Sequence, residues 1–140
     1  MYVVIAGCGR VGSGIAKVLV AEGHDVTVID ESDDAFELLG DDFPGRFVTG
    51  ATIDWDVLRQ AGIEGADAFV AVTDGDNTNI VCAQIAREEF EITCSVARVY
   101  DPARAELFAG TGVRTVCPTR DARSLMLDAV HSCQLPQREI

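Results

Sequence analysis

Basic side chains are scarce in this chain. Eleven lysines and arginines stand against 23 aspartates and glutamates, and the formal net charge is −12. That deficit excludes nucleic-acid binders, whose phosphate contacts need a basic face. It also removes the attraction that draws proteins to anionic membrane surfaces. Long apolar runs are missing too, since none approaches the roughly eighteen residues that a membrane span needs. The sequence opens directly into an apolar strand pattern with no basic leader and no cleavage site. A soluble, cytoplasmic protein without direct membrane insertion is the expectation. Histidine is limited to His24 and His131, neither with a partner at ligand spacing, so no metal site is expected. Cysteine pairs of the C-x-x-C type are absent. Cys8, Cys82, Cys94, Cys117 and Cys133 are odd in number and scattered, most within apolar stretches, and read as buried reduced thiols. A chain of 140 residues makes one domain, long enough to bury about two-thirds of its unfolded surface.

What is present is organised around Gly7-Cys8-Gly9-Arg10-Val11-Gly12. An apolar run, Tyr2 to Ala6, precedes this G-x-G-x-x-G and an amphipathic stretch follows it. In that context each glycine has a mechanical reason. The first lets the chain turn out of a strand, the second lets backbone approach a pyrophosphate, and the third lets a helix pack close to the sheet. The helix then aims its free N–H groups at phosphate. Val11, Ile15, Val18 and Leu19 fall on one helical face, and Glu22-Gly23 supplies a stop. Asp25 to Asp30 forms a second strand pattern. It ends, roughly twenty positions beyond the glycines, in the carboxylate that such a unit uses to hold a ribose. A carboxylate there accepts from a free 2′-hydroxyl and repels a 2′-phosphate, which disfavours NADP but does not separate NAD from ATP or ADP. Arg10 opposes the helix dipole unless a phosphate is bound.

The remaining chain alternates strand and helix. Ser32 and the acids around it start a short helix through Leu39, Arg46 to Gly50 reads as a third strand, and Asp54 to Ala61 as a helix closed by Gly62. Ala68 to Val72 is continuously apolar, as a strand covered on both faces must be. It ends in the polar turn Thr73 to Asn79, at the carboxyl end of a parallel strand where ligands bind, although Asp76 or Thr78 also suits plain N-capping. Thr93 to Val99 with Arg98, a helix from Asp101-Pro102 to Phe108, Arg114 to Cys117, and a last helix after Pro118-Thr119 complete the pattern. Six alternations predict an α/β, Rossmann-like, doubly wound parallel six-stranded sheet. The last helix carries the stripe Ala122, Leu125, Met126, Ala129, Val130 and Cys133. Such a stripe packs on its own sheet in the ordinary case, but Leu127 and Leu135 lie off it and invite a partner subunit.

Taken in order, Gly7 to Gly12, Val28-Ile29-Asp30, Val57 to Ile63 followed by Ala66-Asp67-Ala68, Ala71-Val72-Thr73 with Asp76 and Asn79, and Ala97-Arg98-Val99 resemble the N-terminal nucleotide-binding domain of TrkA-type potassium-uptake regulators, also called the RCK or KTN domain. The resemblance implies a nucleotide-binding domain over residues 1–118 and a crossover, dimerising helix with its tail over 119–140. It implies a regulatory subunit rather than an enzyme, binding NAD(H) or ATP/ADP, pairing as a homodimer or larger ring, and seated beneath an integral-membrane potassium-translocating partner at the inner face of the membrane. Carried over residue by residue, Gly7, Cys8, Gly9, Arg10, Val11 and Gly12 hold phosphates and Asp30, with Glu31 beside it, holds the ribose. Thr73 and Asp76 line the crevice, and Arg98 reaches phosphate near the dimer interface. Many members have Gly-Asp after the third strand where this chain has Gly50-Ala51-Thr52, so Thr52 stands near the base instead of an acid. Many also continue into a second, ligand-sensing domain. A different class remains open beside this one: an NAD-dependent oxidoreductase without its substrate domain, for which neither His24 nor His131 offers a well-placed acid or base. A redox sensor built on Cys8 at the helix start is a third.

Overall fold

The computed structural model describes residues 1–136. Six strands, β1 (Tyr2–Ala6), β2 (Asp25–Asp30), β3 (Arg46–Thr49), β4 (Ala68–Ala71), β5 (Cys94–Arg98) and β6 (Arg114–Val116), form one sheet in the order β3-β2-β1-β4-β5-β6. Every pairing is parallel. Parallel neighbours need crossovers, and these run through α1 (Arg10–Ala21), α2 (Trp55–Gln60), α3 (Asp76–Glu88) and α4 (Pro102–Phe108). Short 3-10 helices at Asp33–Leu39 and Ile63–Gly65 complete the connections. The expected doubly wound α/β sheet is the observed one.

Burial on both faces explains the continuous apolar strands. Along β1, Val3 and Ile5 pack on one side with Ala16 of α1 and with Phe36 and Leu39 of the first 3-10 helix. Val4 and Ala6 pack on the other with Leu58 of α2 and with Cys82 and Ala83 of α3. The helix after β1 and the helix after β4 therefore cover opposite faces, and that divergence opens the sheet's top edge between the two strands.

Three expectations need correction. Of the expected α1 face, Ile15 and Leu19 are half-buried against the core, but the fully buried positions are Gly12, Ser13 and Ala16, whereas Val11 and Val18 are 47% and 57% exposed. The helix lies so close to the loop below it that only small residues fit: a Cβ on Gly12 would stand 1.9 Å from the carbonyl oxygen of Gly7. Next, α5 (Pro118–His131) has no buried residue, with Leu125 and Met126 both 69% exposed, so its stripe does not pack on the sheet. Its base is tied down where Arg120 Nη2 donates to the Pro102 carbonyl at 3.1 Å. Finally, all five thiols are free, but Cys133 is exposed and Cys94 half-buried, so the buried reading holds for Cys8, Cys82 and Cys117. Positions 137–140 of the expected C-terminal segment lie outside the described residues.

Candidate functional site

At the diverging edge lies a crevice of about 460 Å³. Gly7, Cys8 and Gly9 line it from the loop after β1, and Asp30, Glu31 and Ala35 from the end of β2. Thr52 closes one side, and Val72, Thr73, Asp74, Gly75 and Thr78 the other, around the turn from β4 into α3. This is the topological switch point, where open parallel sheets bind ligands.

The three glycines differ in what requires them. Gly7 has φ +109°, and a Cβ there would meet the Val72 carbonyl oxygen at 2.6 Å; its N–H donates to the Ile29 carbonyl at 2.7 Å. Gly12 is required by packing, as above. Gly9 has an ordinary φ of −85° and a Cβ on it would meet nothing within 4 Å. Neither backbone nor neighbours demand glycine at that position, which faces the crevice. Gly9 is also the N-cap of α1, with no side chain satisfying the helix start. The first intrahelical bond is from Ser13 N–H to the Gly9 carbonyl at 2.9 Å. The N–H groups of Arg10, Val11 and Gly12 consequently have no intrahelical acceptor, and with the positive end of the dipole they suit an anion.

Asp30 is built into the same structure. One carboxylate oxygen accepts from Cys8 N–H at 2.8 Å and the other from Ser32 N–H at 2.9 Å. Two backbone bonds fix its plane while leaving lone pairs on each oxygen for further donors. Ser32 itself, expected as an N-cap, makes no side-chain cap bond. The Cys8 thiol donates to the Ala35 carbonyl at 3.3 Å. Burial, with the Asp30 charge adding to it, pushes that thiol from the ordinary 9.0 up to about 11. This is opposite to the activated thiolate that a redox sensor needs. Cys82, behind Thr52, is pushed by burial to about 12.

On the β4 side the turn is held by Asn79, which is fully buried. Its carboxamide oxygen accepts from Thr73 N–H at 2.8 Å and Thr73 Oγ1 at 2.6 Å, and its NH₂ donates to the carbonyls of Thr73 and Arg98, each at 2.9 Å. One side chain thus joins the ends of β4 and β5. Asp76 is placed differently from the crevice role expected of it. Its carboxylate, 8% exposed, turns away to accept from Tyr100 N–H at 2.8 Å and Asp101 N–H at 3.0 Å, and it approaches Arg104 at 3.9 Å. Arg98 donates from Nη2 to the carbonyls of Val72 at 3.2 Å and Thr73 at 3.1 Å, and stacks on the Tyr100 ring at 4.7 Å.

Of the expected site residues, the structure gathers Gly7, Cys8, Gly9, Asp30, Glu31, Thr52 and Thr73 into the lining. Arg10 and Val11 border a shallow hollow on the outer side of α1 instead, and Arg98, Asp76 and Gly12 lie outside the lining. Ala35, Val72, Asp74, Gly75 and Thr78 join the lining without having been expected there. For Asp74, Gly75 and Thr78 the polar run after β4 is the signal, though spacing alone does not say which of its side chains turn inward, while Ala35 in the first 3-10 helix and Val72 at the apolar end of the β4 run carry no such signal. His24 lies near the N-terminus, with its Nδ1 3.0 Å from the Met1 amino nitrogen, and His131 ends α5. Among the described residues no His, Cys, Asp or Glu cluster suits a metal ion, and no helix is long and apolar enough to cross a membrane.

A parallel switch-point sheet with a glycine turn, unpaired helix N–H groups and an acid ending the second strand defines a dinucleotide-binding type of α/β domain. The model of the TrkA-N domain family matches residues 3–119, and the chain belongs to that family. It is similar to the Trk system potassium uptake protein TrkA of Streptomyces coelicolor, 50% identical over 127 residues, which are 91% of this chain and 57% of the relative. A TrkA homolog of Methanothermobacter thermautotrophicus is 36% identical over 123 residues, 87% of this chain and 56% of its own. The chain thus spans little more than half the length of these curated relatives. Among solved structures, the TrkA-N domain of the inner membrane protein ybaL from Escherichia coli superposes with a TM-score of 0.81 at 21% identity, covering 92% of this chain and 96% of that one. The Shewanella denitrificans Kef C-terminal domain in its AMP-bound form gives 0.78 at 24%, covering 94% and 80%. At these identities the likeness is one of fold.

Proposed function

We propose that this chain is the nucleotide-binding regulatory module of a Trk/Ktr-type potassium uptake system. It takes NAD(H) or ATP/ADP in the switch-point crevice and passes the occupancy on to an integral-membrane potassium-translocating subunit. In this reading it is cytoplasmic, is not an enzyme, and is held at the inner face of the membrane by that partner. The observation that carries the ligand class is Gly9, a glycine that the fold does not need, on the loop where a pyrophosphate would touch backbone. Phosphates are assigned to the loop Gly7–Gly9 and the N–H groups that start α1, and ribose hydroxyls to Asp30, whose charge repels the 2′-phosphate of NADP. Arg10 and Arg98 stay outside the lining, so the phosphate assignment rests first on backbone N–H groups, with Arg10 one residue beyond the loop. The family, and the potassium-uptake names of the relatives, support the system. A further structural neighbour is titled GsuK channel bound to NAD, with a TM-score of 0.72 at 21% identity, covering 86% of this chain and 22% of that one; its ligand is of the class proposed here.

The exposed stripe of α5 supports a homodimer in which that helix crosses to a second copy, and such pairs are the unit from which a larger ring is built. Two nucleotide states that prefer different pair geometries would supply the coupling energy. Calorimetric titration with NAD⁺, NADH, ADP, ATP and NADPH, on the chain and on Asp30→Ala, tests the input. Micromolar binding of the first four, weak NADPH, and a loss of at least about tenfold in the variant are expected. No binding by any of them would remove the nucleotide from the proposal.

A further inference from the structure

The crevice is lined by three carboxylates, Asp30, Glu31 and Asp74, and by no lysine, arginine or histidine. They are not equivalent in position. The strands β2, β1 and β4 are consecutive neighbours, with Ile29 and Ala71 both level with Ala6. Neighbouring strands lie about 4.8 Å apart. Asp30 therefore ends the strand on one side of the glycine loop, and Asp74 stands just past the strand on the other. The following inference rests on the nucleotide reading above. A ligand whose ribose is held at Asp30 and whose phosphates lie on the glycine loop carries whatever follows those phosphates across to β4. There it meets Thr73, Asp74, Gly75 and Thr78.

We propose that Asp74 selects the nucleotide by the charge of the group beyond its second phosphate. It favours the cationic pyridinium of NAD⁺ over the neutral ring of NADH and over the terminal phosphate of ATP. The side chain of Asp74 is fully exposed, and its nearest cation, Arg98 Nη2, is 4.0 Å away. That guanidinium is 11% exposed, donates to the Val72 and Thr73 carbonyls, and lies behind the turn rather than in the crevice wall. A loose pair of this kind offsets the carboxylate only in part. Asp76, the next acid along, points away toward Tyr100 and Asp101, with Arg104 beside it, and contributes little to the crevice. Water screening keeps the effect modest: one unit of charge at about 4–5 Å, inside one Debye length, changes affinity by roughly two- to threefold. ADP, which ends at the second phosphate, does not present a third phosphate to Asp74.

The test is titration of the chain and of Asp74→Asn with NAD⁺, NADH, ADP and ATP at low and physiological ionic strength. In the unmodified chain NAD⁺ should bind about two- to threefold more tightly than NADH, and ADP more tightly than ATP, with both ratios shrinking as salt rises. Asp74→Asn should bring the NAD⁺ to NADH ratio close to one and tighten ATP, while changing ADP least. Glu31→Gln, on the ribose side, should move these ratios less than Asp74→Asn. Binding of all four with ratios that Asp74→Asn leaves unchanged would overturn this inference and leave the nucleotide reading standing. Failure of all four to bind the unmodified chain would overturn both.

Discussion

Replacing each glycine of the loop by alanine separates what the fold needs from what a ligand needs. At Gly12 the added Cβ would stand 1.9 Å from a backbone oxygen of Gly7, which cannot swing aside as a side-chain tip could. Helix α1 would have to lift, at a cost of about 3 kcal/mol, the upper range for overpacking. At Gly7 the φ of +109° and the 2.6 Å approach to the Val72 oxygen act together, for a loss of about 2–3 kcal/mol or more. Gly9→Ala meets no atom within 4 Å. Alanine caps a helix clearly worse than glycine, by about 1 kcal/mol, but restricting the unfolded chain returns about 0.4–1 kcal/mol. These terms oppose one another, and the net change should stay within about 1 kcal/mol. Urea unfolding followed by circular dichroism gives the three stabilities, and titration with NAD⁺ gives the affinities. Gly9→Ala should fold like the parent and bind at least about tenfold more weakly. A Gly9→Ala variant that binds NAD⁺ as tightly as the parent would refute the assignment of that glycine to ligand approach. One that unfolds would show that the crevice geometry is misread.

Asn79→Ala strips the buried turn of four hydrogen bonds and leaves the Thr73 N–H and the Arg98 carbonyl to find water; unfolding experiments should show a loss of about 2–4 kcal/mol. Leu125→Asp or Met126→Asp alters only exposed surface, so thermal stability of the monomer should hold; size exclusion with light scattering should report loss of the dimer, and an intact dimer would count against α5 as the interface. The thiols of Cys8 and Cys82 ionise with difficulty when folded, at about 11 and 12 against an ordinary 9.0. Their contribution to stability is complete below pH 9.0 and is lost as pH rises toward those values, because the unfolded chain releases its protons first. Replacing both by alanine should flatten the alkaline limb of a pH–stability profile.

The strands were legible because burial on both faces leaves an unmistakable apolar run, as in Ala68 to Ala71. The glycine turn was legible because its three positions answer to separate mechanical needs. Helix faces were harder to read. Hydrophobicity points to Val11, Ile15, Val18 and Leu19 on α1, and Ile15 and Leu19 do pack against the core, yet close approach to the sheet is granted to the smallest side chains, and Gly12, Ser13 and Ala16 take the buried side. The polar turn after β4 shows a related limit. Asp76 and Asn79 are both polar residues at a strand end, and spacing does not reveal that one reaches across to the start of α4 while the other closes on Thr73. Nor does sequence separate Arg98 donating to carbonyls from Arg98 facing a crevice. For α5 the pattern marked a helix and a stripe, but a stripe has the same spacing whether it meets its own sheet or another surface.

Held at its root by the Arg120–Pro102 bond and by its buried cap residue Cys117, and with no residue of its own buried, α5 stands out as an arm. Fourteen residues rising about 1.5 Å each give a length of about 21 Å. Arg120 grips Pro102, the residue after Asp101, whose N–H is held by Asp76 at the head of α3, itself one residue beyond the crevice wall at Gly75. A tilt of about 5° at such a pivot sweeps the far end of the arm through about 2 Å. Displacements too small to disturb the packing around the glycine loop are thereby magnified to the width of an atom at the surface where another subunit would rest.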